Sequence, residues 1–310
     1  MCIRDRSPTY YRALESTWQH HVTPRWSSTP VGRVTPADVQ EWIGQIPGSP
    51  TVVLRAHGIL AGILDDAVRD RRIVANPARG LTLPRRRQAP SRYLTHQQVD
   101  ALAHATGRPL LIYTLAYCGL RWGEATALRV RDVNLLRRRI SVTTAVSYVP
   151  GSGFIVGPTK GHEARNVPMP GFLTVMMRDR VETAGSPDAL IFPAPRADYL
   201  RQPGKSRMVD GRRVGVKWWE RALSECGIEW MTPHDLRHTT ASLAVQAGAN
   251  VKALQRMLGH RSAAMTLDRY ADLFDSDLDD VADRMEAQRD HLLTTDGRES
   301  PGIVGMVRDG

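Results

Sequence analysis

Between Ser49 and Val74 the apolar residues Val52, Val53, Ala56, Ile59, Leu60, Ile63, Leu64 and Ala67 recur three and four apart, forming one wide stripe of a helix that Ser49 and Pro50 open. Similar spacing behind capping residues predicts helices from Ser7 to His21 and from Thr35 to Ile46. Further on, Thr95-His96-Gln97-Gln98 is a capping box ahead of Val99, Leu102 and Ala103, and predicts a helix to about Ala105. Pro109 to Tyr117 is almost wholly apolar, so it should be a buried helix, stopped by Gly119. The next helix runs to about Leu128.

The period then changes from helical to alternating. Ile140 to Val146 reads as a strand, Pro150 to Gly153 as a turn, and Phe154 to Val156 as its return, which predicts a short antiparallel sheet. Thr159-Lys160-Gly161-His162 reads as a second tight turn, placing Lys160 on a hairpin tip before a strand with Arg165, Val167 and Pro168. Helices follow at about Gly171 to Thr183 and Arg213 to Cys226, with a brief strand at Leu190 to Phe192 and a polar loop from Arg196 to Gly211. Trp218 and Trp219 belong to a core or interface rather than to a base-stacking platform. Thr232 as N-cap and Pro233 at the first helical position open the helix with His234, Arg237 and His238. Asn250 caps Val251 to Leu258, Gly259 stops it, and His260 comes just past the stop. Ser262 caps a last short helix, with Met265 and Leu267 as its buried side and Tyr270 near its end.

The fold class that results is mainly α with a small antiparallel sheet, α+β, in two domains. Residues 1–84 form a helical domain, 85–92 a linker, 93–290 a second domain, and 291–310 a tail expected to be disordered. The linker lies in the run NPARGLTLPRRRQAPS from Asn76 to Ser91, whose Pro, Gly and Arg suit neither helix nor strand. The first six residues lack periodicity and a helical pattern starts directly after them, as in a chain truncated upstream. Between Asp272 and Asp290 eight acidic residues accompany Leu273, Leu278, Val281 and Met285, a segment suited to docking on a neighbouring protomer or on its own domain.

Charge narrows the partner. The formal net charge is +10, and residues 1–90, with 13 Lys plus Arg against 7 Asp plus Glu, hold +6 of it. Clustered cations gain free energy on a phosphate backbone by releasing counterions, so nucleic acid is the leading partner class. Arginine dominates, the only lysines being Lys160, Lys205, Lys217 and Lys252. Three widely spaced cysteines support neither a disulfide framework nor a zinc knuckle, and a reducing cytoplasm fits them. No signal core is present, and the longest apolar stretch, Pro109 to Leu120, is too short to span a bilayer.

His234, Arg237, His260 and Tyr270 all fall near helix ends, where side chains can converge on a cleft. One chemistry for them is metal binding, since His234 and His238 stand at i and i+4 with Asp235 between, as in zinc hydrolases of the HExxH kind. Asp in place of Glu shortens the base, Arg237 would repel a divalent cation, and no third ligand is near. The other is phosphoryl transfer without metal. Arginines offer planar donors to phosphate oxygens, histidine donates or exchanges a proton, and tyrosine attacks to form a covalent ester. Such an ester keeps the energy of the broken phosphodiester, so neither ATP nor any cofactor is required, and no GxxxxGK[ST] loop is present.

The segments CGLRWGEATALR, TK ending at Lys160, HDLRHT, LGH and the closing Tyr270 together resemble the tyrosine recombinase (phage integrase) family in order and spacing, from about Leu94 to Phe274. The helical domain before them is similar to the family's core DNA-binding domain. The resemblance implies that Arg121 and Arg237 clamp the scissile phosphate, that His260 adds a hydrogen bond in the transition state, and that Tyr270 is the nucleophile, leaving a 3'-phosphotyrosyl enzyme and a free 5'-hydroxyl. It further implies Lys160 as general acid, His234 as an aid to proton transfer or phosphate holding, and Glu124 as support for Arg121, while His238 is read as a satisfied helix histidine. A bacterial or phage-encoded cytoplasmic enzyme is implied, integrating or excising a mobile element as a homotetramer on double-stranded DNA through a four-way junction, with accessory directionality or DNA-bending proteins and no membrane partner. The integrase branch often has a further N-terminal arm-binding domain, and this chain starts at the core-binding domain. The alternatives are a type IB-like topoisomerase, a non-enzymatic DNA-binding protein and a zinc hydrolase.

Overall fold

The computed structural model describes residues 8–85, 92–159, 164–195, 198–205, 207–209, 212–214, 217–274 and 278–295. Two compact units account for the chain: residues 1–90 with 147–155, and residues 91–146 with 156–310.

In the first unit, α1 (Pro8–Thr17) passes through a π-helical turn (Trp18–Val22) into α2 (Thr23–Trp26), followed by α3 (Pro36–Gln45) and α4 (Pro50–Arg69). Thr35 and Asp38 close a reciprocal capping box at the start of α3. Trp26 meets Trp42 edge to face at 5.6 Å in a core with Val22, Val39, Leu60 and Leu64. The predicted stripe on α4 is narrower than the sequence suggests, because Ile63 faces solvent. The helix also ends at Arg69, short of Val74: Arg71 turns left-handed at φ 57°, and Arg72 N donates back to Ala67 O at 2.9 Å. The first part of the expected linker run is fastened to this unit. Asn76 donates to Ala61 O and Asp65, and the Gln40 amide pairs both ways with the backbone of Thr82. Residues 86–91 lie outside the described residues.

The second unit is built round a buried hub. α5 (His96–Ala105) and α10 (Asp235–Gln246) pack on α6 (Pro109–Cys118), whose Leu111, Ile112, Leu115, Ala116 and Cys118 are buried. α7 (Trp122–Ala127) leads to β1 (Val133–Asn134), β2 (Arg139–Val142), β3 (Thr144–Val149), β4 (Gly153–Pro158) and β5 (Arg165–Pro168), of which residues 147–149 of β3 and 153–155 of β4 belong to the first unit. The single strand expected over Ile140 to Val146 is two strands broken at Thr143: β2 lies between β1 and β5, and β3 pairs with β4. The expected turn at Lys160 falls on residues 160–163, which lie outside the described residues; of the strands flanking them, β4 pairs with β3 and β5 with β2.

After α8 (Gly171–Thr183) come β6 (Arg207–Val209), β7 (Arg212–Val214) and α9 (Trp218–Glu225). Arg213, expected in a helix, is in β7 opposite Met208, and Leu190 makes only an isolated bridge to Arg129. Trp219 is fully buried and donates to Met231 O. α11 (Val251–Leu258), α12 (Ala263–Phe274) and α13 (Leu278–Thr295) complete the unit. The expected tail at 291–310 overlaps the end of α13, and its residues 296–310 lie outside the described set. Among the described residues no helix is long and apolar enough to cross a membrane.

Candidate active site

α6 ends on Gly119 in the left-handed conformation, φ 63°, and Arg121 then caps α7. Glu124, in the first turn of α7, accepts from Arg121 N at 2.9 Å and from Arg121 Nη1 at 2.8 Å. Its carboxylate also takes a bidentate pair from Arg165, Nη1 at 3.1 Å and Nη2 at 2.6 Å. Burial would raise the Glu124 pKa, but the hydrogen bonds and charge of Arg165, followed by Arg121, hold it down at about 2. Gly123 permits this packing, since a Cβ there would come within 2.3 Å of Val146 O.

Arg237 is held differently. It is buried on α10, with Nη1 donating to Gly119 O at 2.6 Å and Nη2 donating to Leu258 O, the carbonyl ends of α6 and α11. Gly259 ends α11 in the left-handed region at φ 63°, so both helices present C-terminal carbonyls, the negative ends of their dipoles, to one guanidinium. Burial, then the nearby Arg121 charge, pushes the Arg237 pKa down. Arg121 and Arg165 share the Glu124 carboxylate while Arg237 bonds only carbonyls, so three guanidinium charges stand near one carboxylate, a surplus of positive charge that suits a bound oxyanion. Arg121, Arg165, Asn166, Gln255, Arg256 and His260 line a cavity of about 330 Å³ there.

α12 supplies the tyrosine. Ser262 accepts from Met265 N, as expected of a cap, but the buried face is not the predicted one. Met265 and Leu267 are exposed, while Thr266 and Tyr270, four apart, are buried, because this face turns toward His260 and α10. Tyr270 itself leaves helical geometry, φ −134° and ψ 17°, and kinks the helix. The His260 ring stacks on Tyr270 with centroids 6.3 Å apart and planes at 11°, and its Nδ1 meets Thr266 Oγ1 at 2.9 Å. Burial, Arg237 and Arg121 lower the His260 pKa to about 4. Burial raises that of Tyr270, with Arg237 and Arg269 opposing.

His234 precedes α10 instead of following an N-cap at Thr232; the helix starts at Asp235, and Thr232 N and Oγ1 donate to the Asp235 carboxylate. Burial, followed by the Arg237 charge, lowers the His234 pKa. His238, read from sequence as a satisfied helix histidine, is buried and satisfied, with Nδ1 2.8 Å from the Tyr270 hydroxyl and Nε2 3.2 Å from Arg269 Nη2. With both ring nitrogens engaged, His238 leaves none for the HExxH-like zinc reading. Among the described residues no group of three His, Cys, Asp or Glu is placed for a metal.

Arg121, Glu124, Arg237, His260 and Tyr270 therefore converge, with His234 at their edge, and Lys160 lies outside the described residues. Sequence reasoning missed Arg165, His238 and Arg269. Arg165 had a signal: it shares strand parity with the buried Val167, so it had to point inward. His238 stands four residues from His234 and Arg269 adjoins Tyr270, but spacing alone does not say which atoms they meet.

The family model described as Phage integrase family matches residues 92–277. The prophage phiRv2 integrase of Mycobacterium tuberculosis is 29% identical over 276 residues, covering 86% of this chain and 70% of that protein. The integrase of Mycobacterium phage D29 is 28% identical over 257 residues, 79% of this chain and 65% of its own length. The fold is similar to that of the Tn1549 transposon integrase in complex with a circular intermediate DNA, with TM-score 0.74 and 20% identity over 92% of this chain and 95% of that one. The converging arginines, histidines and tyrosine lie within the matched residues, and the chain belongs to the tyrosine recombinase (phage integrase) family.

Proposed function

We propose that this site-specific DNA recombinase cuts and rejoins double-stranded DNA through a 3'-phosphotyrosyl link at Tyr270. The observation that carries the assignment is His260, which lines the arginine cavity on one side and stacks on the Tyr270 ring on the other. The phenol oxygen attacks phosphorus, the bond to the 5' oxygen breaks, the phenolic proton leaves, and the departing oxygen gains one. One ester replaces another, so rejoining is the same step reversed.

Arg121 and Arg237 hold the nonbridging oxygens, most strongly as charge gathers on them in the transition state. His260, neutral at pH 7 with Nδ1 engaged by Thr266, donates from Nε2 to the same phosphate. Glu124 positions Arg121 and Arg165, His234 assists at the edge, and Lys160 is the general acid for the 5' oxygen. The net charge of +10 and relatives solved with DNA support a DNA substrate. The phage and prophage origin of its relatives supports integration or excision of a mobile element, and the acting species is a homotetramer on DNA. Those relatives do not favour the topoisomerase reading. A nicked suicide substrate carrying the recombination site should trap a covalent adduct, and Tyr270→Phe should abolish it; an adduct persisting in that variant refutes the assignment.

A further inference from the structure

His238 is the one side chain bonded to the Tyr270 oxygen among the described residues, and its other nitrogen faces a guanidinium. A guanidinium has donors and no acceptor, so the 3.2 Å contact from Arg269 requires a lone pair on His238 Nε2. In a neutral imidazole the proton must then be on Nδ1, aimed at Tyr270 across 2.8 Å. Burial first, and then the Arg269 charge on α12, His234 at 5.6 Å in edge-to-face contact and Arg237 on α10, keep the ring neutral, with Asp235 opposing; Tyr270 faces it from α12.

We propose that Arg269 is a positioning residue that fixes His238 as its Nδ1–H tautomer, so that His238 donates to the Tyr270 oxygen and steadies negative charge there, and is not the base that takes the phenolic proton. This deepens the reading of Tyr270 as nucleophile and rests on it. His238 then makes and breaks no bond to phosphorus, and the phenolic hydrogen, with no acceptor among the described side chains, departs by another route.

The tautomer is read directly from long-range proton–nitrogen spectra of the ¹⁵N-labelled full chain at pH 7.5, with His238 assigned by its loss in His238→Asn. A protonated Nδ1 is expected, and Arg269→Ala should move the population toward Nε2–H; a protonated Nε2 in the unsubstituted protein overturns the proposal. Single-turnover adduct formation supplies the second readout. His238→Asn keeps an N–H donor at the Nδ1 position and should stay within about fivefold of the parent, whereas His238→Ala should lose about 100-fold, as when one donor to a developing oxyanion is removed. Equal losses in the two variants would identify a base and overturn the proposal. Failure of the nucleophile reading shows separately, as an adduct that survives Tyr270→Phe.

Discussion

The two walls of the cleft are built on opposite principles. On the arginine wall every guanidinium contact runs to a carboxylate or to a helix carbonyl: Glu124 binds Arg121 and Arg165, and the ends of α6 and α11 bind Arg237. On the tyrosine wall Tyr270 sits at a helix kink between the neutral rings of His238 and His260, with the Arg269 guanidinium against the far nitrogen of His238. Fixed dipoles and charges hold phosphate donors at no reorganisation cost during reaction, which is the larger part of electrostatic catalysis. In the proposed reaction the neutral rings let the Tyr270 phenol lose its proton without a neighbouring cation being neutralised. The first wall binds charge, and the second permits charge to form.

Four expected outcomes test this division. Arg237→Lys should lower single-turnover cleavage by about a thousandfold with DNA affinity changed only several-fold, because a single ammonium cannot span both helix ends and the phosphate; an equal loss in an electrophoretic binding assay would make Arg237 a binding residue only. Glu124→Gln should cost about 3–5 kcal/mol in urea unfolding, since two guanidinium groups lose the carboxylate they share. A variant as stable as the parent would show that the carboxylate charge does not organise that wall.

Acid titration separates the walls without mutating the chemistry. His238 and His260 sit near 4 in the fold against an ordinary 6.5, so the fold binds fewer protons there, and their contribution is full above pH 6.5 and lost as the pH falls toward 4. Glu124, at about 2 against 4.5, contributes fully above pH 4.5 and fails only toward pH 2. Stability measured against pH should therefore show two limbs, of which Glu124→Gln flattens only the more acidic one. The smallest effect belongs to Thr266→Val, which removes the hydroxyl on His260 Nδ1 and should slow adduct formation by about three- to tenfold and cost about 1 kcal/mol in urea unfolding at pH 7.

Much of this was legible in the chain itself. The buried helix over Pro109 to Tyr117 and its glycine stop follow from apolar run and stop residue, the Arg121–Glu124 pair follows from the family resemblance, and the structure has them at those positions. What failed was partner choice over distance. Ile140 to Val146 alternates as a strand should, but no local signal says that the partner changes at Thr143. Met265 and Leu267 were the greasier side of α12, yet the buried side is Thr266 and Tyr270, because the Tyr270 ring packs with Ala241, Val245, Leu254 and Leu258 while its hydroxyl and Thr266 meet His238 and His260. His238 looked ordinary for the same reason: its neighbours come from a helix thirty residues away.

Arg237 has a consequence for anyone moving this chemistry to another scaffold. Its partners are two backbone carbonyls exposed where Gly119 and Gly259 let the chain leave α6 and α11. Copying the side chains alone would leave that guanidinium buried with nothing to receive its protons, so a transplant has to carry two helix endings, glycines included, as part of its parts list.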